Sequence, residues 1–205
     1  MTAGLSQPVG TYAEKSANNE QSGFAKSGIS VGGLVGISTS LDDKSQIIFG
    51  VNVFWNAMDM EAAVQAVFPA SSKYYSMKKE EPYLSISPLV GIQMLEDLSE
   101  SSTFFVSGMA GIMFARSPKI VFTIPIQDTR ATITQDRDRS LALTWMVEGG
   151  IKFMNEFQIG VRYQYSNPKF IVSGNITDRE GNSIYESVTM RQPIATVQIL
   201  FGILL

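Results

Sequence analysis

Bulky apolar residues alternate with small or polar residues along most of this 205-residue chain. In residues 140–153, Leu141, Leu143 and Trp145 belong to the apolar series, and residues such as Thr144 lie between them. A period of two predicts β-strands, because successive side chains of a strand point to opposite faces. We therefore expect strands with one bulky apolar face and one small, polar or glycine-rich face.

Seven segments show this alternation strongly and are bounded by turn residues. They span residues 28–39, 46–58, 83–94, 103–116, 140–153, 157–166 and 194–205. An eighth, weaker strand is predicted over residues 3–13, where Pro8 would have to lie at a bulge or at the rim of a sheet. With this strand, the number of predicted strands is eight.

The predicted strands contain very few charged residues. The chain has 16 basic and 19 acidic residues, but only Arg116, Glu148, Lys152 and Arg162 fall within the seven strong segments. A soluble antiparallel sheet usually has a solvated face that carries charged side chains. A transmembrane barrel instead turns its apolar side chains outward to lipid and its polar side chains inward. The sequence therefore favours an all-β fold, an eight-stranded antiparallel up-and-down transmembrane β-barrel, with residues 1–205 as a single outer-membrane domain.

The competing interpretation is a soluble, lipocalin-like barrel that binds an apolar ligand inside. Such a barrel would point its apolar face inward and would need a charged outer face. The placement of charge in this sequence favours the membrane barrel over that alternative.

The connections between the predicted strands alternate in length. Residues 40–45, 96–101 and 154–156 are short, whereas residues 59–80, 117–138 and 167–190 are long. Short periplasmic turns and long external loops are typical of outer-membrane barrels, which predicts that both termini are periplasmic. Two long connections contain alternating halves around a turn, so we expect hairpins in residues 120–137 and 170–190. Residues 60–75 are apolar enough to contact a partner or lipopolysaccharide, although a short helix or strand extension packed on the rim is favoured.

Composition excludes several kinds of chemistry. The chain has no histidine and no cysteine, so it lacks the commonest general base, the commonest metal ligand and all thiol chemistry. We therefore expect no enzyme activity, no catalytic residues, no cofactor and no metal site. A net charge of −3 gives no reason to expect nucleic-acid binding. Asp178, Glu180 and Asn182 resemble part of a calcium loop, but Gly181 is misplaced and no bidentate Glu follows, so a plain turn is favoured.

The three-residue turn at 154–156 fixes the register of its hairpin. A hairpin centred on Asn155 places Glu148 opposite Arg162 on the inner face, where an ion pair would offset the cost of burying both charges. We predict that this pair and its polar neighbours form a plug that closes the lumen. The predicted lumen network is Glu148, Arg162, Lys152, Gln164, Gln198, Asn52 and Gln93.

Aromatic residues are predicted at both ends of the outer face, as in the girdles of membrane barrels. Phe153 and Phe157 flank the short turn at 154–156, and the other members lie towards the opposite end of their strands. The full predicted set is Trp55, Trp145, Tyr163, Tyr165, Phe153 and Phe157.

Three phrases of the sequence resemble a known family. AGLSQPVGTYAEK at residue 3, GFAKSG at residue 23 and IGVRYQYS at residue 159 are similar to the Bacteroidetes outer-membrane β-barrel family of small OmpX-like proteins. The resemblance implies an eight-stranded barrel delivered by a cleaved signal, so that Met1 would be an added initiator. It also implies a non-enzymatic structural or binding role in the outer membrane. The expected partners are outer-membrane lipid or lipopolysaccharide, together with a protein docked on the external hairpins 117–138 and 167–190.

Overall fold

A computed structural model describes residues 1–16, 18–19, 21–39, 44–67, 69, 76–126, 129–154, 156–177 and 181–204. In chain order the strands are β1 (Thr2–Pro8), β2 (Ala25–Ser38), β3 (Ser45–Met58), β4 (Ser76–Glu80), β5 (Tyr83–Ser99), β6 (Ser102–Arg116), β7 (Ile120–Ile126), β8 (Thr129–Gln135), β9 (Arg139–Phe153), β10 (Phe157–Ser166), β11 (Lys169–Thr177), β12 (Ser183–Arg191) and β13 (Ile194–Ile203). Helix α1 (Met60–Val67) lies between β3 and β4, and a 3-10 helix (Gly10–Tyr12) follows β1.

Eight of these strands close into an antiparallel barrel, so the predicted all-β, eight-stranded fold is confirmed. Around the barrel the order is β1, β13, β10, β9, β6, β5, β3 and β2. Each barrel strand therefore pairs with the barrel strands that precede and follow it along the chain, and β13 pairs with β1 to close the ring. All seven strongly alternating segments form barrel strands.

Two predicted strand ends are wrong by five residues each, whereas the other barrel-strand boundaries differ from the prediction by three residues or fewer. The strand predicted over residues 3–13 ends at Pro8, because proline has no N–H for the ladder and Gly10 turns the chain with a φ of 60°. The strand predicted to end at residue 94 continues to Ser99, so the connection expected at 96–101 contracts to residues 100–101. Asp97 remains in the ladder, where it accepts a 3.1 Å hydrogen bond from the Thr103 hydroxyl.

The predicted alternation of short and long connections is confirmed. The strand ends that the short connections join, at residues 38 and 45, 99 and 102, and 153 and 157, lie at one end of the barrel together with the first residue of β1 and the last residue of β13. We call this the short-turn end. The four longer connections lie at the opposite, long-loop end, where they build additional structure.

A second sheet lies at the long-loop end. Its five strands are ordered β12, β11, β8, β7 and β4. Both predicted hairpins are confirmed, as β7 with β8 and β11 with β12, although residues 127–128 and 178–180 lie outside the described residues. The sequence did not predict that the hairpins pair with each other, through residues 174–177 of β11 and 132–135 of β8.

Helix α1 packs against this sheet. The Asp59 carbonyl accepts the amide of Ala63 at 2.9 Å, and the Asp59 carboxylate accepts the amide of Ala62 at 3.3 Å, which caps the helix N-terminus. The sequence favoured either a short helix or a strand extension on the rim; the structure shows a helix over residues 60–67, packed against the second sheet. No helix in the described ranges is long and apolar enough to cross a membrane. We call α1 and the five-stranded sheet together the cap. The buried side chains that join them are Met60, Val64, Ile120, Phe122 and Ile124.

The barrel wall has apolar side chains outside and polar side chains inside. Leu143 is 84% exposed and Val35 is 68% exposed, whereas the adjacent inward residue Thr144 is 3% exposed. The sense of the predicted alternation is therefore confirmed.

The alternation predicted an interior of small and polar side chains only, and this prediction is wrong. Phe105, Met109 and Met146 are also buried in the lumen. Glycines on neighbouring strands make room for them: a Cβ added to Gly150 would lie 2.9 Å from the Phe105 ring, and one added to Gly160 would lie 3.3 Å from it. Side chains therefore fill the middle of the lumen, as expected for eight strands.

Candidate functional site

A buried ion pair lies in the middle of the lumen. The register of β9 and β10 places Glu148 directly opposite Arg162, as predicted from the short turn. The Arg162 guanidinium donates to Glu148 Oε2 from Nε at 2.9 Å and from Nη2 at 2.7 Å. Both side chains are almost completely buried, at 0% and 1% exposure. The predicted Glu148–Arg162 contact is therefore present.

The carboxylate is bound through one oxygen rather than two. Both Arg162 donors converge on Oε2, and Glu148 Oε1 has no hydrogen-bond partner among the described residues. A glycine provides the space that the guanidinium needs, since a Cβ on Gly32 would lie 3.2 Å from Arg162 Nη1. The arrangement fixes the position of the arginine in the lumen.

The remaining donor of the guanidinium connects the ion pair to an amide network. Arg162 Nη1 donates to Asn52 Oδ1 at 2.7 Å, and Asn52 Nδ2 donates to Gln164 Oε1 at 2.6 Å and to Gln198 Oε1 at 3.3 Å. Gln164 Nε2 continues to the Thr144 hydroxyl at 3.1 Å. The chain of contacts links β3, β9, β10 and β13 across the lumen. Five of the seven predicted network residues therefore form one connected group: Glu148, Arg162, Asn52, Gln164 and Gln198.

Lys152 and Gln93 form a separate contact nearer the short-turn end. Lys152 Nζ donates to Gln93 Oε1 at 2.8 Å and lies 5.5 Å from the centre of the Phe105 ring. The two residues line a cavity of about 460 Å³ at the short-turn end, with Gln158 also in its wall. Gln93 was predicted as a neighbour of the Glu148–Arg162 pair but hydrogen-bonds to Lys152 instead. The reason is its depth, because Gln93 lies nearer the short-turn end of the barrel than Asn52 does.

The predicted girdle residues lie on the outer face. The Trp145 ring centre is 5.2 Å from that of Tyr163 and 5.9 Å from that of Tyr165. Phe153 and Phe157 oppose each other beside the short turn. Trp55 is half-buried on the outward face of β3. The aromatic residues therefore occupy two levels of the wall.

A second cavity, of about 350 Å³, lies between the barrel rim and the cap. We call it the chamber. Ser22 Oγ in its wall is buried and has no hydrogen-bond partner among the described residues, whereas the Tyr83 hydroxyl donates to the Gly23 carbonyl at 2.9 Å. Sequence reasoning missed the chamber, although the apolar character of residues 60–67 and 120–126 was visible. Its apolar lining includes Phe24, Met58, Val64, Ile120, Phe122 and Phe170.

An acidic residue at the rim fastens three segments together. The Asp59 carboxylate forms ion pairs with Lys15 Nζ at 2.5 Å and with Lys26 Nζ at 3.2 Å. Burial raises the pKa of the Asp59 carboxyl, but hydrogen bonds from Lys15, the Ala62 amide and Lys26 outweigh burial and lower that pKa below its ordinary value. The carboxylate is therefore ionised near neutral pH and holds β2, the 9–24 connection and α1 in place.

Metal binding has no support in the part of the chain that the structure describes. No group of three or more acidic residues there is arranged to hold an ion. Asp178 and Glu180, which resemble part of a calcium loop, lie outside the described residues.

Comparisons with protein-family models and with curated protein sequences give no match for this chain. The barrel architecture is compatible with a small outer-membrane-type barrel, and the narrower resemblance to the OmpX-like family stays a prediction.

Proposed function

We propose that this protein is a small outer-membrane β-barrel with a closed lumen and a non-enzymatic structural or binding role. The observation that best supports this proposal is the outer wall of the barrel. Large apolar side chains such as Val35, Leu143 and Val161 are exposed there on every side, while polar side chains are buried in the lumen. Exposing so much apolar surface to water is unfavourable, whereas lipid tails match it. In this proposal the short-turn end and both termini are periplasmic, and the cap is external.

The closed lumen supports a role other than conduction. The Glu148–Arg162 pair and its amides cross the lumen in mid-barrel, with Phe105 and Met109 filling space beside them. Eight-stranded barrels have interiors that side chains fill, so no wide channel is expected.

An enzymatic role has little support in the residues that face the interior. Glu148 is held by Arg162, and the chain contains neither histidine nor cysteine to act as a base or nucleophile. We therefore retain the non-enzymatic proposal, with no cofactor.

The cap is the surface on which we place a protein partner. Strand β12 lies at the edge of the five-stranded sheet, and Ile184, Tyr185 and Val188 on it are exposed. An unpaired strand edge can accept a further strand, with the backbone supplying hydrogen bonds. Docking at the hairpins in 117–138 and 167–190 would let the barrel serve as a subunit of a larger outer-membrane assembly.

The chamber favours a second candidate function, binding of a small apolar molecule above the barrel. Its lining is mainly apolar, and Ser22 Oγ is left to meet one polar group of a ligand. Ala63→Trp, which fills the chamber, should remove a molecule that native mass spectrometry detects on the folded wild-type protein. The same spectra would overturn this function if the wild-type protein carried no molecule when isolated from its native membrane.

The main alternative is the soluble, lipocalin-like barrel with an apolar ligand inside. Its ligand would have to occupy a lumen crossed by Arg162, Asn52 and Gln164, whose polar atoms would lose their hydrogen bonds. This interior supports the membrane proposal.

Folding in detergent tests the proposal directly. A closed barrel in a membrane-like environment should resist SDS without heating and migrate differently after boiling, because its ladder has no free edge. Circular dichroism must show that the unheated sample is β-rich. A β-rich protein that remains monomeric in water without detergent would overturn the membrane proposal, and sustained conductance in a planar bilayer would overturn the closed lumen.

A further inference from the structure

Two arginines face each other across neighbouring strands at the long-loop end of the outer wall. The register of β6 and β9 pairs Arg116 directly with Arg139. Directly opposed residues have Cβ atoms about 4.5–5.5 Å apart, and like charges in such positions are destabilising. An anion between the two side chains would remove this repulsion.

Neither arginine has a carboxylate partner among the described residues. The carboxylates on the neighbouring segments are engaged elsewhere: Glu81 with Arg137, and Asp136 with Lys119. Asp138 Oδ2 accepts the amide of Ile171. The two guanidinium groups therefore remain as an unneutralised pair.

One nitrogen of the pair specifically lacks an acceptor. Arg116 Nε is buried and has no hydrogen-bond partner among the residues that the structure describes. A buried donor without an acceptor costs free energy that a ligand oxygen would recover. The planar guanidinium matches phosphate oxygens better than a lysine ammonium does.

The surface next to the arginines is apolar. A groove of about 490 Å³ runs along the wall from the two arginines past Leu84, Ile86, Phe114 and Leu141. Phe114 is 50% exposed and Leu141 is 64% exposed. A ligand in this groove would present a negative group at the rim and a hydrocarbon chain towards the middle of the wall.

We propose that this groove binds a phosphorylated lipid of the surrounding membrane, with its phosphate on Arg116 and Arg139 and one acyl chain along Phe114 and Leu141. The inference rests on the proposed function, because the groove meets lipid only if the wall lies in a membrane. It identifies the leaflet at the long-loop end as the source of the ligand, and it assigns the opposed arginines a role that the barrel fold does not require.

The test uses the full chain folded in uncharged detergent micelles. Native mass spectrometry would measure binding of dioleoyl phosphatidic acid, with dioleoyl phosphatidylcholine and inorganic phosphate as separate arms. We expect one phosphatidic acid per barrel, weaker retention of phosphatidylcholine, and no displacement by inorganic phosphate. Displacement of the lipid by inorganic phosphate alone would reduce the groove to a simple anion site and overturn the proposal.

The binding test also uses a double variant that replaces Arg116 and Arg139, and the chain supplies a matched control for it. Lys169 and Arg191 also oppose each other directly and are exposed, but they lie in the cap sheet. R116Q/R139Q should weaken phosphatidic acid binding by about ten-fold or more, whereas K169Q/R191Q should leave it unchanged. Equal binding by both double variants would overturn the lipid site.

Two further measurements separate the possible failures. If R116Q/R139Q does not fold, the single variant R139Q, which changes the exposed arginine, takes its place and should weaken binding several-fold. A wild-type protein that needs no detergent would defeat the proposed function, whereas a heat-modifiable barrel that binds both lipids equally would defeat only the lipid site.

Discussion

The barrel and the cap arrange their side chains in opposite ways. In the barrel, Leu143 and Val35 are exposed while Glu148 and Arg162 are buried. In the cap, apolar side chains such as Ile124 pack between the sheet and α1, and the Lys119–Asp136 ion pair lies at the surface. The barrel therefore exposes apolar side chains and buries polar ones, whereas the cap buries apolar side chains and exposes charged ones.

Under the proposed membrane function, the difference matches two surroundings, lipid around the wall and water around the cap. Burying apolar side chains stabilises the cap only if water surrounds it. The wall gains nothing from burial of its outer side chains, and its interior depends on satisfied polar contacts. The boundary between the regions runs along the rim, where Asp59 binds Lys15 and Lys26.

The lumen should show the largest response to a single substitution. Glu148→Gln removes the charge that Arg162 needs and should lower the free energy of unfolding by about 3–5 kcal/mol. The double variant Glu148→Gln with Arg162→Met removes both charges and should be distinctly more stable than Glu148→Gln alone. Urea unfolding in lipid vesicles measures both. Glu156→Gln, at the exposed short turn, is the control, and equal stabilities of the single and double variants would refute the importance of the pair.

The outer wall provides the next largest effect. Val161→Arg or Val147→Arg should destabilise the folded protein by about 2–4 kcal/mol in lipid, because each side chain lies near the middle of the outward face. Gln46→Arg, which faces the 460 Å³ cavity at the short-turn end, should cost less. Thr144 is unsuitable as the inward control, since it is buried and hydrogen-bonded to Gln164. The reverse order of stabilities would show that inside and outside have been exchanged.

A smaller substitution compares the two regions directly. Ile124→Val in the cap removes a buried methylene and should lower local stability by about 0.5–1.5 kcal/mol. Ile159→Val on the outer wall, where Ile159 is 47% exposed, should have almost no effect in lipid. Hydrogen exchange of the amides in β7 and β10 would measure each change. Equal losses at both positions would remove the distinction between cap and wall.

The smallest expected effect concerns pH at the boundary. The pKa of the folded Asp59 carboxyl lies below its ordinary value of 3.8. The stabilisation is therefore present above about that pH and is lost as the pH falls through the lower folded value. Hydrogen exchange of residues 59–67 should accelerate in acid before the barrel unfolds, and Asp59→Asn should abolish this acid response. Exchange that stays constant in the wild-type protein would show that Asp59 does not hold α1.

Short connections explain why much of the barrel could be predicted. A three-residue turn leaves one register for its hairpin, so the position of Glu148 opposite Arg162 followed from chain geometry. The alternation likewise predicted which side chains face outward, since a shift by one residue would expose every inward residue.

Long connections explain what was missed. Residues 117–138 separate β6 from β9, so the sequence did not indicate that Arg116 and Arg139 would oppose each other. Pairing of β11 with β8 and formation of the chamber also depend on contacts between distant segments. Closing the long loops between these segments costs conformational entropy, and only packing in the assembled structure offsets that cost.

The sequence by itself determined the barrel strands, the apolar outer face and the register of the 154–156 hairpin, because strand period and short turns are local properties. Only the tertiary structure decided which polar residues share the lumen network, why Gln93 binds Lys152 rather than the Arg162 group, and how the hairpins join into one sheet. Those outcomes depend on side-chain depth, on the space left by glycines and on contacts between segments far apart in the chain, which no local pattern encodes.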